Sequence, residues 1–331
     1  MQKISRDALI EKAVSLLENG SVSSVLGWKK GEFDYDVTPA LFKSADALRA
    51  EFVWNDFCGA NFSKYLVAKT DRIEGKVLVF LKPCDTYSFN QLLTEHRFDR
   101  EKVYAVGIPC EGMADIAKVK AITGEGITSI DCGERISVTT LYADAPIEID
   151  AKEVLAERCA NCKSKKHVAY DELMGEEGDL IESARFDEVA RLEAMTPDER
   201  FAFWQNELSR CIRCNACRDA CPACTCEKCV FDNPASGVEN KSPANSFEEK
   251  MFHIIRAYHV AGRCTDCGEC SRVCPQNIPL HLLNRKFIKD MNEFYGEYQA
   301  GAEVGSRAPL VDYTTEDLEP GEVFDRRDAN A

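Results

Sequence analysis

The sequence has 331 residues, of which 45% are hydrophobic and 29% are charged, a composition typical of globular domains rather than disordered chains. Lys and Arg number 41 against 56 Asp and Glu, so the formal net charge is −15 and the chain lacks the basic excess that nucleic-acid binding requires. No apolar run approaches the ~18 residues of a membrane span, and the charged, amphipathic first residues are unlike a signal peptide, so we expect a cytoplasmic protein of about two domains.

The 17 cysteines are the most informative feature of the sequence. They form tight local groups, and residues 211–229 alone contain seven of them. Disulfide frameworks are typical of short secreted chains, whereas cysteines two residues apart in a turn converge on a metal more readily than they pair across a fold. The pattern therefore predicts metal binding in a reducing compartment.

Apolar runs in the first part of the chain predict an α/β fold. A helix is expected to begin after Ser5 and to end before Gly20. Three apolar runs then occupy residues 77–81, 103–108 and 127–130, and helix-like stretches follow the first two. Continuous apolar runs that alternate with helices indicate buried parallel strands, so we predict an α/β cluster domain here.

A cysteine follows each of these apolar runs. Cys84 and Cys110 each come directly after Pro, and Cys132 closes the third run. Because ligands bind at the carboxyl ends of parallel strands, all three are candidate site residues. The pair Cys159-x2-Cys162 comes next, in a Lys-rich segment, and on its own it fits a redox pair, a zinc knuckle or cluster ligands.

The order of these motifs is similar to that of the coenzyme F420 hydrogenase/dehydrogenase beta-subunit family. The shared features are Gly-x-Pro-Cys at 107–110, a later single cysteine, CxxC at 159–162 and the acidic, Gly-ended stretch 170–175. The resemblance covers about residues 70–195. It implies a 4Fe–4S cluster in this domain, often with FAD beside it, and electron transfer between a coenzyme and partner subunits. The positions of the cysteines, two after apolar runs and two in a polar loop that can fold over the same sheet edge, make Cys110, Cys132, Cys159 and Cys162 the predicted ligands of this third cluster.

Cys84 is the main alternative ligand for this cluster, because like Cys110 it follows Pro at the end of a predicted strand. Pro83-Cys84-Asp85 resembles the iron–sulfur subunits of sulfhydrogenase and sulfite reductase.

Two complete ferredoxin-type runs lie further along the chain, and each has the spacing C-x2-C-x2-C-x3-C-P. In such runs three thiolates bind one cubane and the fourth binds the neighbouring cluster. The predicted ligands of the first 4Fe–4S cluster are Cys211, Cys214, Cys217 and Cys274. Those of the second are Cys264, Cys267, Cys270 and Cys221. Zinc would need only paired CxxC knuckles and would leave half of these thiolates unused.

Helical segments flank both runs. A capping box at Thr196–Glu199 begins the helix that leads into the first run, and apolar segments lie between the runs and after the second. This arrangement resembles the alpha-helical ferredoxin domain of succinate dehydrogenase and heterodisulfide reductase subunits. It predicts an α/β domain at 1–195, a helical dicluster domain at 196–297 and an acidic tail at 298–331.

Five cysteines remain after these assignments: Cys58, Cys84, Cys224, Cys226 and Cys229. The group Cys224-x-Cys226-x2-Cys229 could hold a further metal together with Cys84 or Cys58. The alternative is that these thiols are small packed hydrophobic side chains or a zinc knuckle.

Two functions fit these observations. In the first, the chain is an iron–sulfur subunit that relays single electrons within a hydrogenase, formate dehydrogenase or heterodisulfide reductase-type complex, with no catalytic residue of its own. In the second, the first domain binds FAD and exchanges a hydride with a deazaflavin or nicotinamide coenzyme. Tightly bound flavin in the purified chain would distinguish the two, and a zinc-stabilised scaffold would be colourless.

Overall fold

The computed structural model describes residues 3–133, 135–179, 184–233 and 246–309. Contacts divide the chain into two compact units, Met1–Arg185 and Phe186–Ala331, and each is considered by itself. In the described ranges no helix is long and apolar enough to cross a membrane. Residues 310–331 of the predicted acidic tail lie outside the described residues.

The first unit combines two sheets with surrounding helices. In chain order its elements are α1 (Arg6–Glu18), β1 (Ser24–Lys30), β2 (Val37–Phe42), α2 (Ala45–Glu51), α3 (Ser63–Lys69), β3 (Val77–Leu81), α4 (Pro83–Thr94), β4 (Val103–Gly107), α5 (Ile116–Thr123), β5 (Ile127–Cys132), β6 (Arg135–Thr140), β7 (Ile147–Asp150), α6 (Glu157–Ala160) and β8 (Glu172–Leu173). Ser5 caps α1 as expected, because its hydroxyl accepts a hydrogen bond from the Ala8 N–H.

The larger sheet has the strand order β2-β1-β3-β4-β8 and is parallel except for the antiparallel edge strand β2. Strands β3 and β4 are almost wholly buried and pair in register from Val77↔Val103 to Leu81↔Gly107. The two apolar runs therefore form neighbouring parallel strands, as predicted. Cys84 and Cys110 each lie three positions beyond the pair Leu81↔Gly107 and so leave the sheet at the same edge.

The third apolar run does not belong to this sheet, which corrects the prediction of a third parallel strand. Strand β5 lies in a separate antiparallel sheet of order β5-β6-β7. Its Thr128 and Ser129 are exposed while Ile127 and Ile130 are buried. One face of β5 is therefore polar, which suits an antiparallel sheet with a solvated face rather than a strand covered on both faces.

The second unit is helical. Its helices are α7 (Asp187–Glu193), α8 (Pro197–Ser209), α9 (Ala216–Asp219), α10 (Ser246–His259), α11 (Glu269–Arg272) and α12 (His281–Tyr295). The predicted capping box is present at the start of α8, where Thr196 and Glu199 bond reciprocally. Leu208, Phe231, Phe252, Ile278 and Leu280 form the buried core beside the cysteine runs. Helix α7, which precedes the predicted boundary at 195, packs against Leu282 of α12.

Candidate metal centres

The two cysteine runs share one backbone conformation. In each run the residues that flank the middle cysteine have positive φ: Arg213 (55°) and Asn215 (63°), and Asp266 (57°) and Gly268 (68°). Non-glycine residues adopt this conformation at a cost, so its repetition at equivalent positions marks a functional turn. Such residues curl the chain around a central point and direct successive N–H groups towards it, as an anionic centre requires.

The structure brings together the four cysteines predicted for the first cluster. The pKa of Cys217 is raised to about 11, mainly by burial and further by the thiols of Cys211, Cys274 and Cys214, while the Arg256 guanidinium opposes the rise. The same four cysteines line one small cavity of the second unit. Cys274 comes from the second run, as the ferredoxin pattern predicts.

The cysteines predicted for the second cluster also lie together, and one of them, Cys221, comes from the first run. Burial is the largest cause that raises the pKa of Cys267 and of Cys270 to about 12, and the thiol of Cys221 contributes to both. Burial also raises the pKa of Cys264, and Cys221 is again a neighbour. Because burial keeps these thiols protonated, iron bound at them would have to displace their protons.

Helix α10 directs two polar side chains at these runs. His253 is buried, and its Nε2 lies 3.3 Å from the Sγ of Cys211. Arg256 is also buried and donates a hydrogen bond from Nη2 to the Cys217 carbonyl over 2.8 Å. His253 Nδ1 and Arg256 Nε are buried without a hydrogen-bond partner in the described part of the chain. Buried polar atoms without a partner beside cysteine thiols fit a site for charged clusters.

A third group of thiols surrounds Lys165 in the first unit. Burial opposes a rise in the pKa of the Lys165 ammonium, but the thiols of Cys110, Cys162, Cys159 and Cys84 outweigh it. The pKa of Cys110 is itself raised to about 12, first by burial and then by Cys159. A Cβ at Gly112 would lie 3.4 Å from the Cβ of Cys159, which puts the CxxC segment beside the turn after β4.

Backbone hydrogen bonds hold the CxxC segment against both strand ends. The Ala156 N–H donates to the Met113 carbonyl over 2.8 Å at the start of the segment. At its end, the Val168 N–H donates to the Thr86 hydroxyl over 3.1 Å. Cys159 and Cys162 therefore lie on a strap between the residues after Cys110 and the first turn of α4.

His167 lies at the end of the same strap. Its Nε2 is 3.1 Å from the carbonyl oxygens of both Leu81 and Ile108, and its Nδ1 is 2.8 Å from Oε1 of Glu177. The ring thus joins the ends of β3 and β4 to Glu177, two residues beyond the acidic, Gly-ended stretch 170–175. Sequence analysis did not single out His167 or Glu177.

Cys132 has different neighbours from the other three cysteines of its predicted set. Its pKa is raised to about 12 by burial and by the Asp56 carboxylate, while the Asp56 N–H donates to its sulfur. Cys58 has Cys132 among the neighbours that raise its pKa, after burial. This follows from the fold, because β5 ends in the second sheet and not at the edge shared by β3 and β4.

The remaining cysteines of the second unit are not gathered into one group. Cys224 lies beside Cys221 and Arg256, Cys229 lies beside Arg218, and Cys226 is exposed. Cys84 is in the first unit. Within the described ranges, no three Cys, His, Asp or Glu side chains are arranged to hold a single metal ion. A cubane does not need that arrangement, because each thiolate binds a different iron.

Comparison with known proteins identifies the second unit. Residues 207–278 match the 4Fe-4S dicluster domain family. F420-dependent formate dehydrogenase subunit beta of Methanocaldococcus jannaschii is 25% identical and aligned over 83% of this chain and 86% of its own. F420-dependent formate dehydrogenase 1 subunit beta of Methanococcus maripaludis is 23% identical over 83% and 87%.

Among solved structures, a chain of the F420-reducing NiFe hydrogenase complex from Methanosarcina barkeri is 15% identical, with a TM-score of 0.38, over 61% of this chain and 88% of that one. At this TM-score the likeness supports no inference about the present chain.

The chain is an iron–sulfur electron-transfer subunit of an oxidoreductase complex, and its dicluster domain binds two 4Fe–4S clusters. The resemblance to F420 hydrogenase/dehydrogenase beta subunits that the sequence indicated is confirmed by relatives that span most of the chain.

Proposed function

We propose that the chain works in the cytoplasm as the beta-type subunit of a formate dehydrogenase complex and relays single electrons between its catalytic partner and a coenzyme. Two observations together carry this proposal. The second unit contains two clusters of cysteine thiols, and the relatives that align with most of the chain are F420-dependent formate dehydrogenase beta subunits. Hydrogenase and heterodisulfide reductase-type partners would use the same relay.

The proposed ligand sets exchange one cysteine between the two runs. The first cluster takes Cys211, Cys214, Cys217 and Cys274, and the second takes Cys264, Cys267, Cys270 and Cys221. Each set is supported by the neighbours of its buried members. In this proposal the boundary between the two domains lies near residue 185 rather than 195, because α7 packs against Leu282 of α12.

A third 4Fe–4S cluster in the first unit is part of the same proposal, with Cys84 in place of Cys132. Cys84 and Cys110 leave neighbouring parallel strands at equivalent positions, and the strap carries Cys159 and Cys162 between them. Lys165 among the four thiols offsets the negative charge that a cluster would bring.

The second candidate function adds FAD to the first unit. A coenzyme such as F420 carries a hydride, whereas iron–sulfur clusters carry single electrons. A carrier that accepts two electrons together and releases them singly is therefore needed between them, and flavins do this. The F420 dependence of the relatives favours this candidate. If the flavin is in another subunit, the clusters of this chain alone would suffice.

The test uses the full chain with an affinity tag, purified anaerobically from its own cells together with its partners. We expect a complex with a formate-oxidising subunit, iron–sulfur signals that appear when formate is added, and about twelve irons per chain, or about eight if only the dicluster domain is loaded. Flavin released from the separated chain would support the second candidate. Clusters that formate leaves oxidised while a different electron donor reduces them would contradict the proposed partner.

A further inference from the structure

Arg256 is buried between the cysteines of both dicluster sites. Its side chain is 5% exposed, and its Nη2 bonds the carbonyl of Cys217, a proposed ligand of the first cluster. Its largest electrostatic neighbours include the thiols of Cys221 and Cys270, proposed ligands of the second cluster. A single guanidinium thus lies beside both sets.

The surroundings of Arg256 differ from those of Arg285, a second buried arginine in the described part of this unit. Arg285 is 1% exposed, and its Nε lies 3.0 Å from a carboxylate oxygen of Asp266, so that pair is close to neutral. Arg256 instead lies beside cysteine thiols of both proposed ligand sets. A buried cation without a carboxylate is costly unless another anion lies beside it.

The clusters supply that anion. A cubane bound by four thiolates is anionic overall and becomes more so on reduction. A nearby cation therefore stabilises the reduced form more than the oxidised form and raises the reduction potential. Because one cation lies beside both sets of thiols, it acts on both clusters.

We propose that Arg256 raises the reduction potentials of both dicluster centres together, so that it sets the level of the pair without changing the order of the two. This inference rests on the proposed ligand sets. Its consequence is that the electron-transfer step between the two clusters keeps its driving force, while the steps that connect the pair to partners on either side change in opposite senses.

The experiment compares variants of the full chain in anaerobic redox titrations followed by electron paramagnetic resonance. Arg256→Gln removes the charge, Arg256→Met removes it without leaving a new polar group buried, and Arg256→Lys keeps it. Lys250→Gln is the matched control, because Lys250 is a partly exposed cation of the same helix, set over the ring of Phe201. Iron content is measured for each protein.

In Arg256→Gln and Arg256→Met we expect the equilibrium constant for reduction of each cluster to fall at least tenfold. This corresponds to a reduction potential lower by 59 mV for a one-electron couple. Arg256→Lys and Lys250→Gln should keep both potentials close to those of the unmodified protein. Full iron content with unchanged potentials, or a shift of one cluster alone, would overturn the inference. Loss of iron from both uncharged variants would also overturn it, since Arg256 would then serve assembly. A failure of the ligand sets would instead appear as normal iron content in a cysteine variant.

Discussion

The backbone N–H of Val168 donates a hydrogen bond to the side-chain hydroxyl of Thr86 over 3.1 Å. That hydroxyl in turn donates to the carbonyl of Pro83 over 2.7 Å, so it joins the strap to the first turn of α4 beside Cys84. Both groups are within the first unit, and Thr86 is buried.

Thr86→Val should therefore loosen the strap. It leaves the half-buried Val168 N–H without its partner, which costs at most the about 1–3 kcal/mol of a fully buried donor. We expect a lower free energy of unfolding and a partial loss of the iron bound by the first unit. Thr123→Val is the control, because the Thr123 hydroxyl bonds carbonyls of its own helix end only. Equal effects of the two substitutions would show that the strap contact is unimportant.

Metal analysis distinguishes the two possible fourth ligands of the third cluster. With three clusters the chain holds about twelve irons, and loss of one leaves about eight. We expect Cys84→Ser and Cys159→Ser to lower the count to about eight while the dicluster signals persist, and Cys132→Ser to leave it at about twelve. A loss in Cys132→Ser with retention in Cys84→Ser would restore the ligand set that the sequence suggested.

Cys267→Ser should remove the second cluster of the dicluster domain. Thiolate–metal bonds contribute to folding, because the site does not form in the unfolded chain. We expect about four fewer irons, an altered electron paramagnetic resonance spectrum and a lower melting temperature. The exposed Cys226 provides the control substitution Cys226→Ser. An unchanged spectrum in Cys267→Ser would refute the assignment of this residue.

His253 should tune the first cluster alone. Its Nε2 lies 3.3 Å from Cys211 Sγ, and since a thiolate only accepts, that nitrogen carries the proton. A donor to a cluster ligand favours the more negative, reduced state. His253→Phe should lower the potential of the first cluster and leave the second unchanged, with the exposed His259→Phe as the control. Equal shifts of both clusters would contradict this.

The carboxylate of Glu177 should make the stability of the first unit sensitive to acid. Burial works against a low pKa for this carboxyl, but hydrogen bonds from the backbone and ring of His167 outweigh it, and the pKa is lowered. A lowered folded-state pKa contributes stability above the unfolded value of about 4.3, and that stability disappears as the pH falls through the folded value. The melting temperature should exceed that of Glu177→Gln at pH 7, and the gap should narrow in acid. A constant gap, or an equal effect of the exposed Glu176→Gln, would argue otherwise.

The sequence was sufficient for features that depend on local spacing. The ferredoxin runs predicted which cysteines gather in the second unit, because ligand spacing within a turn is fixed by covalent geometry. The runs at 77–81 and 103–108 were recognised as parallel strands because both are continuously apolar. The capping box at Thr196 marked the start of α8 correctly.

Features that depend on how distant segments of the chain pack together could not be predicted from the sequence. Cys84 and Cys132 both follow apolar runs, and only the sheet to which each strand belongs separates them. The polar pair Thr128-Ser129 inside the third run is the sequence signal that separates it from a strand buried on both faces. The place of Arg256 beside the thiols does not follow from the sequence, because a helical pattern does not reveal which thiols a side chain on that helix faces.

The sharing of cysteines between the two runs has a consequence for synthesis on the ribosome. With the proposed ligand sets, the first centre lacks Cys274 until all four cysteines of the second run have been translated. The proposed second centre takes Cys221, which is made long before the other three cysteines of that set. Iron insertion must therefore wait for the end of this region, and a truncated nascent chain would expose free thiols to oxidants instead of holding one finished centre.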